Sequence, residues 1–160
     1  MRILVCVDGA ASDRLLAAAL PLAPATAVWV PVHVLDTRPR VDLGLLRAGI
    51  PGGGPLAPEQ RAQIQAAGQE HARAVSQAAE ALLRARGLAT ESALIRVGEP
   101  GRAICAAAAE AGADLVVLLA SRRPGRPLTG PPSVGHTARF VVDHAPCPVL
   151  LIRGAVPHAT

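Results

Sequence analysis

The chain has 160 residues, 51% of them hydrophobic and 18% charged, with a formal net charge of +4, enough for one well-cored domain spanning residues 1–160. No lysine occurs, so all 16 basic residues are arginine, which excludes a Walker A loop and a Schiff base because both need a lysine amine. One Phe, one Trp and no Tyr leave no platform for stacked bases, and the only tight arginine group is Arg122, Arg123 and Arg126, so nucleic acid is not an expected partner.

Five β-type runs alternate with helical ones. The first, "RILVCVD" (2–8), is continuously apolar and ends in an acid. A helical stretch follows, "SDRLLAAALPLA", with Leu15, Leu16, Ala19 and Leu20 at helical spacing. Next come "AVWVPVHVLD" (27–36), a long Gly/Pro-rich connection over about 37–58, and a helix from Pro58 to Arg86 with Ile64, His71, Val75, Ala78 and Leu82 on one face. Pro58 suits a first helical turn and Gly87 a C-terminal cap. "ESALIRV" (91–97) is the third strand. In "GEPGRAICAAAAEAG", Pro100 opens a helix and Gly112 closes it. "ADLVVLLAS" (113–121), a Gly/Pro-rich loop, a helix near 134–144 and "CPVLLIR" (147–153) complete the series.

Strands alternating with helices predict an α/β, doubly wound, mostly parallel sheet covered on both faces. Ligands of such sheets bind beyond the carboxyl ends of the strands, where strand order reverses. With the first and fourth strands flanking that point, Asp8 and Ser121 face one crevice. Pro31 lacks the N–H that a ladder needs, so a bulge or a locally broken pairing is expected there. The 37–58 connection is either a mobile loop or a lid over the crevice.

Taken in order, "VCVDG", "VHVLD", "VGEPGRAI", "ADLVVLLAS" and "GHTARFVVDHAPCPVLLIR" resemble the universal stress protein family over essentially the whole chain. The resemblance implies a Rossmann-like open parallel five-stranded sheet in the order 3-2-1-4-5, with helices on both faces, and a homodimer. Independently of it, the last strand reads as an apolar edge that invites pairing with a second chain, which places the dimer contact at 147–153.

The resemblance also implies a nucleotide site. Family members that bind ATP carry the glycine motif G-x2-G-x9-G-[ST] after the fourth strand. Glycines let the backbone approach phosphate oxygens, and the next helix N-terminus adds positive potential. Nine residues separate Gly125 from Gly135, the family spacing, but the first glycine falls on Arg122 and the closing Ser/Thr on His136, with Thr137 one place later. A second alignment puts Ala120 and Arg123 at the first two glycines. By the same resemblance Asp8 helps hold the adenosine end and the backbone of Val34 contacts adenine. The implied set is therefore Asp8, Val34, Ser121, Arg122, Arg123, Gly125, Gly135, His136 and Thr137. The departures pull in opposite directions. Pro124, Pro127, Pro131 and Pro132 bring no N–H, whereas the Arg122 guanidinium can bind phosphate bidentately. Two readings stay open: a cradle that holds ATP with magnesium, or one decayed into a proline-stiffened loop with no cofactor.

Other residues carry less chemistry. A response-regulator receiver needs an acidic cluster beside Asp8 and a late lysine, and lysine is missing. His33 and Asp36 read as a satisfied histidine and a turn aspartate, Ser12 and Asp13 as helix N-caps, and Cys6 as core. Cys6, Cys105 and Cys147 have no metal-ligand spacing or CxxC pair, and read as buried thiols of a reducing compartment. No apolar run reaches the roughly 20 residues of a membrane span, and "MRILVCVDG" lacks a leader pattern, so a cytoplasmic protein is expected. The expected function is a dimeric stress-response module acting by binding. The alternatives are slow ATP hydrolysis, for which no general base stands out, and a protein-partner adaptor that uses the 37–58 loop.

Overall fold

The first apolar run is buried on both sides, as a central strand must be. In the computed structural model, which describes residues 1–9, 12–36, 58–120 and 134–153, β1 (Arg2–Cys6) lies between β2 (Val28–Asp36) and β5 (Leu115–Ala120). Beyond β5 lies β6 (Val149–Arg153). Two strands pair on the far side of β2, β3 (Ala89–Thr90) and β4 (Leu94–Gly98), and every pairing among these elements is parallel. The expected order, third–second–first–fourth–fifth, is the order observed, with one correction: the expected third strand, 91–97, is β4, and the short β3 pairs ahead of it at Ala89–Thr90.

Pro31 explains the gap between β3 and β4. Val28 N–H donates to Met1 O and Val32 O accepts from Val7 N–H, so even-numbered residues of β2 address β1. Trp29 O accepts from Glu91 N–H, so odd-numbered residues, Pro31 included, address the other side. On that side β3 pairs with Val28 and Trp29, and β4 pairs with 32–36. The ladder is interrupted where Pro31 has no proton to give. On the β1 side Val5 pairs Pro31 in unbroken register, so the broken pairing forms without a bulge.

Alternation on β1 divides the core between the two faces. Ile3 and Val5 meet Leu15, Leu16 and Ala19 of α1 (Ser12–Ala19) and Leu83 of α2 (Pro58–Ala85). Leu4 meets Ile104, Ala107 and Ala108 of α3 (Pro100–Glu110) and Ala138 and Val141 of α4 (His136–His144). Burying each Leu or Ile fully contributes about 1.5–3 kcal/mol, so the two faces together stabilise the sheet against unpairing.

The core stripe of α2 corrects the sequence expectation. Its buried residues are Ala72, Val75, Ser76, Ala79 and Leu83; of the expected face only Val75 is buried, Leu82 is half-buried, and Ile64, His71 and Ala78 are exposed. Ala72, Ser76 and Ala79 share the contact face with Val75 and Leu83, so small side chains fill more of it than the large apolar residues of the expected face do. Gly87 closes α2 as expected. At φ 71° it donates to Arg84 O, while Leu88 N–H reaches Leu83 O. Gly112 closes α3 in the same way, with bonds to Ala109 O and Ala108 O. Ser12 corrects the N-cap reading: it is the first helical residue of α1, and its buried Oγ has no partner among the described residues.

At the amino edge Arg2 ties three elements together. Its peptide N–H donates to the Asp114 carboxylate, its guanidinium pairs with Glu91, and Nη1 donates to Ala111 O at 2.9 Å. No helix among the described residues is long and apolar enough to cross a membrane.

Candidate functional site

At the carboxyl edge β1 and β5 are neighbours, yet their chains continue to opposite faces, which makes the gap between them the switch point. Val7 is the last buried residue of the first run, and its N–H donates to Val32 O at 2.9 Å. Asp8 follows, exposed. Gly9 then turns the chain at φ 97°, a conformation that strains any residue with a Cβ, and its carbonyl accepts from Ser12 N–H at 3.0 Å to start α1. The Asp-Gly pair is a turn signal in the sequence, and Gly9 belongs to the site as the hinge that leaves Asp8 at the rim.

Val34 lies across from this turn. As an even-numbered residue of β2 it points its peptide N–H and C=O toward the β1 side, and the last β1–β2 bond among the described residues is Val7 N–H to Val32 O. Its side chain packs on the α3–α4 core. His33, buried, points the other way, with Nδ1 2.8 Å from Val7 O and its ring edge-on to His71 of α2 at 6.2 Å. The sequence reading of a satisfied histidine holds. Asp36 is the last residue of β2.

The third wall is the start of α4. Gly135 occupies the N-cap at φ 92° and ψ 157°, a region essentially restricted to glycine, and its carbonyl accepts from Arg139 N–H at 3.1 Å. It brings no side chain to cap the helix. His136, exposed, and Thr137, half-buried, form the first turn, which has no acidic residue. Asp8, Val34, Gly135, His136 and Thr137 thus all belong to the carboxyl edge. Ser121, Arg122, Arg123 and Gly125 lie outside the described residues, as does the 37–57 part of the long connection.

The neighbouring helix start is built differently. Glu99 caps α3, its Oε1 accepting from Gly101 N–H at 3.1 Å and Oε2 from Arg102 N–H at 2.8 Å. A Cβ on Gly101 would sit 2.7 Å from the Phe140 ring, so this glycine is the point of close approach between α3 and α4. Sequence reading identified Pro100 as the helix opener and missed both neighbours; acid–Pro–Gly before an apolar run was the available signal.

The three thiols all pack on one face of the sheet. Burial pushes Cys6 up to about 12, with Cys105 and Asp8 adding to it, and burial likewise raises Cys105 and Cys147. Such thiols are poor nucleophiles. Among the described residues no group of three or more His, Cys, Asp and Glu could hold a metal ion.

The sequence profile of the universal stress protein family matches residues 1–153. No curated protein matches the sequence. Among solved structures, a protein from the universal stress protein family of Burkholderia pseudomallei is 28% identical, over 94% of this chain and 94% of that chain, with a TM-score of 0.63. The fold is also similar to that of hypothetical protein MJ0577, with a TM-score of 0.72, 17% identity and 96% of each chain covered. A universal stress protein family protein from Arabidopsis thaliana, solved with AMP bound, gives 0.62 at 16% identity, covering 100% of this chain and 95% of that one. With the profile spanning nearly every residue and the strand order in agreement, the chain belongs to the universal stress protein family.

Proposed function

We propose that this protein is a dimeric stress-response module that binds an adenine nucleotide at the carboxyl edge of its sheet, with binding rather than turnover as its output. The observation that carries the reading is the Val34 peptide, which extends past the end of the β1 ladder beside Asp8. A purine edge needs a backbone donor and acceptor of this kind, and Asp8 lies where a ribose hydroxyl can donate to a carboxylate. The α4 start, with Gly135 and no acid of its own, suits a phosphate, whereas the α3 start is already occupied by Glu99. The AMP-bound Arabidopsis relative supports an adenine nucleotide as the ligand class. Arg122, Arg123 and Gly125 are the further phosphate contacts that the family motif proposes, and magnesium accompanies the ligand when it is ATP.

Calorimetric titration of nucleotide-stripped protein with AMP and with magnesium ATP tests the reading. Micromolar binding of either supports it. Absence of heat and of thermal stabilisation at millimolar nucleotide overturns it in favour of a partner-binding adaptor.

The dimer is proposed to form through β6, an outer strand of the sheet among the described residues. Val116 N–H donates to Pro148 O, so even-numbered residues of β6 address β5, and the N–H groups of Val149, Leu151 and Arg153 point outward. Leu151→Pro removes an outward donor without taking a bond from the β5 ladder. Monomers in sedimentation are expected, and a variant that stays dimeric places the interface elsewhere.

A further inference from the structure

We infer that His33 is a positioning residue: its imidazole ends the β1–β2 ladder one bond early and so frees the Val34 N–H for a ligand. A carbonyl oxygen only accepts, so at 2.8 Å from Val7 O it is Nδ1 of His33 that carries the proton and donates. In a parallel ladder a residue that donates to one partner residue accepts from the residue two places further on. Val7 N–H donates to Val32 O, so the regular continuation is Val34 N–H to Val7 O. That bond is not formed, and the β1–β2 register stops at Cys6 and Val32. The side chain of His33 occupies the acceptor that the next backbone amide in register would use.

Three features hold the imidazole there. His33 is buried at 8% exposure; its own backbone addresses β4, where it pairs Ile95; and the ring of His71, 6.2 Å away and nearly perpendicular, flanks it from α2. The exchange satisfies Val7 O, so ending the ladder leaves no buried carbonyl without a donor. It leaves instead a strand-end amide directed at the switch point, with Asp8 on the adjoining strand. The ligand class is a group with a hydrogen-bond acceptor on a flat edge, as in a purine ring. This part rests on the nucleotide reading, whereas the ladder exchange does not.

Amide hydrogen exchange of nucleotide-free protein tests the exchange of partners itself. In the native protein the Val34 amide exchanges much faster than that of Val32, which lies inside the ladder. His33→Leu releases Val7 O, Val34 closes the ladder, and its exchange slows by about tenfold or more. His33→Asn, which donates from nearly the position of Nδ1, keeps Val34 fast. A Val34 amide as slow as Val32 in the native protein overturns the inference, and so does equal exchange at Val34 in all three proteins. If the Leu variant fails to fold, the native contrast and the Asn variant still decide. AMP affinity is the second readout. A loss of about tenfold in His33→Leu with retention in His33→Asn supports the inference. Fast Val34 exchange in a protein that binds no AMP keeps the ladder exchange and overturns the nucleotide reading. AMP binding to a protein whose Val34 was already slow overturns the inference and leaves that reading standing.

Discussion

The starts of α3 and α4 lie side by side at the same edge of the sheet and meet through Gly101 and Phe140, yet they are finished in opposite ways. At α3 the chain supplies its own anion: both carboxylate oxygens of Glu99 accept backbone N–H groups, and Pro100 removes one donor that would need a partner. At α4 a glycine with φ 92° leads into a first turn without an acid. The first end is closed by its own carboxylate, and the second is the one to which the proposed nucleotide reading assigns a phosphate. The same division runs through β2, where the odd-numbered side is engaged with β3 before the Pro31 gap and with β4 after it, and the even-numbered side runs on past its partner at Val34.

The largest expected effect is at the shared contact. Gly101→Leu drives a side chain into the Cβ and Cγ of Phe140, atoms that cannot swing away, and costs about 1–3 kcal/mol or more through overpacking. Denaturant titration should show a lower midpoint, and an unchanged midpoint would mean that α3 and α4 do not approach as described. Gly135→Val comes next. The backbone strain is of order 1–3 kcal/mol, and adenine nucleotide binding is expected to be lost while the dimer persists; equal affinity would show that the α4 start is not part of the site. Glu99→Ala removes the cap of α3 and is expected to lower stability by about 0.5–2 kcal/mol without changing nucleotide affinity, since the proposed reading assigns the phosphate to α4. A large change in affinity would dissolve the distinction between the two ends.

The smallest effect concerns a second acid that serves the chain's own backbone. Glu80 accepts from Ala93 N–H at 2.6 Å, ahead of β4, and pairs with Arg84 at 2.7 Å. The Ala93 bond, with help from Arg84 and against the cost of burial, holds its carboxyl below the ordinary 4.5. A lowered carboxyl contributes stability that is complete above the unfolded value and lost as pH falls through the folded one. Glu80→Gln should therefore lower stability slightly at neutral pH, where the native contribution is complete, with the difference shrinking as pH falls below about 4.5, so that the acid end of the profile is flatter. A profile as steep as that of the native protein would assign the acid sensitivity to another group.

Much of this contrast was legible in the sequence. Continuous apolar runs located the strands, alternation with helices fixed a parallel sheet, and Pro100, Gly87 and Gly112 marked helix ends by the conformations only they favour. The missed features are those in which tertiary contacts override a local pattern. Pro31 predicted a break, but which side of β2 would carry it depends on which neighbour the odd-numbered residues face. Small side chains fill much of the contact face of α2, where large apolar residues were the stronger signal. Gly101 is small because Phe140, far along the chain, needs the space. In His33 the residue type signalled only a satisfied core histidine. Its consequence for Val34 follows from the ladder register, which exists only once β1 and β2 have paired.

The most direct test of the central claim is the amide spectrum of the protein titrated with AMP. The account predicts that the Val34 and Gly135 amides shift together and saturate at one micromolar affinity, while those of Gly101 and Arg102, held by Glu99, stay where they are. Shifts confined to other parts of the chain, or none at millimolar AMP, would contradict it.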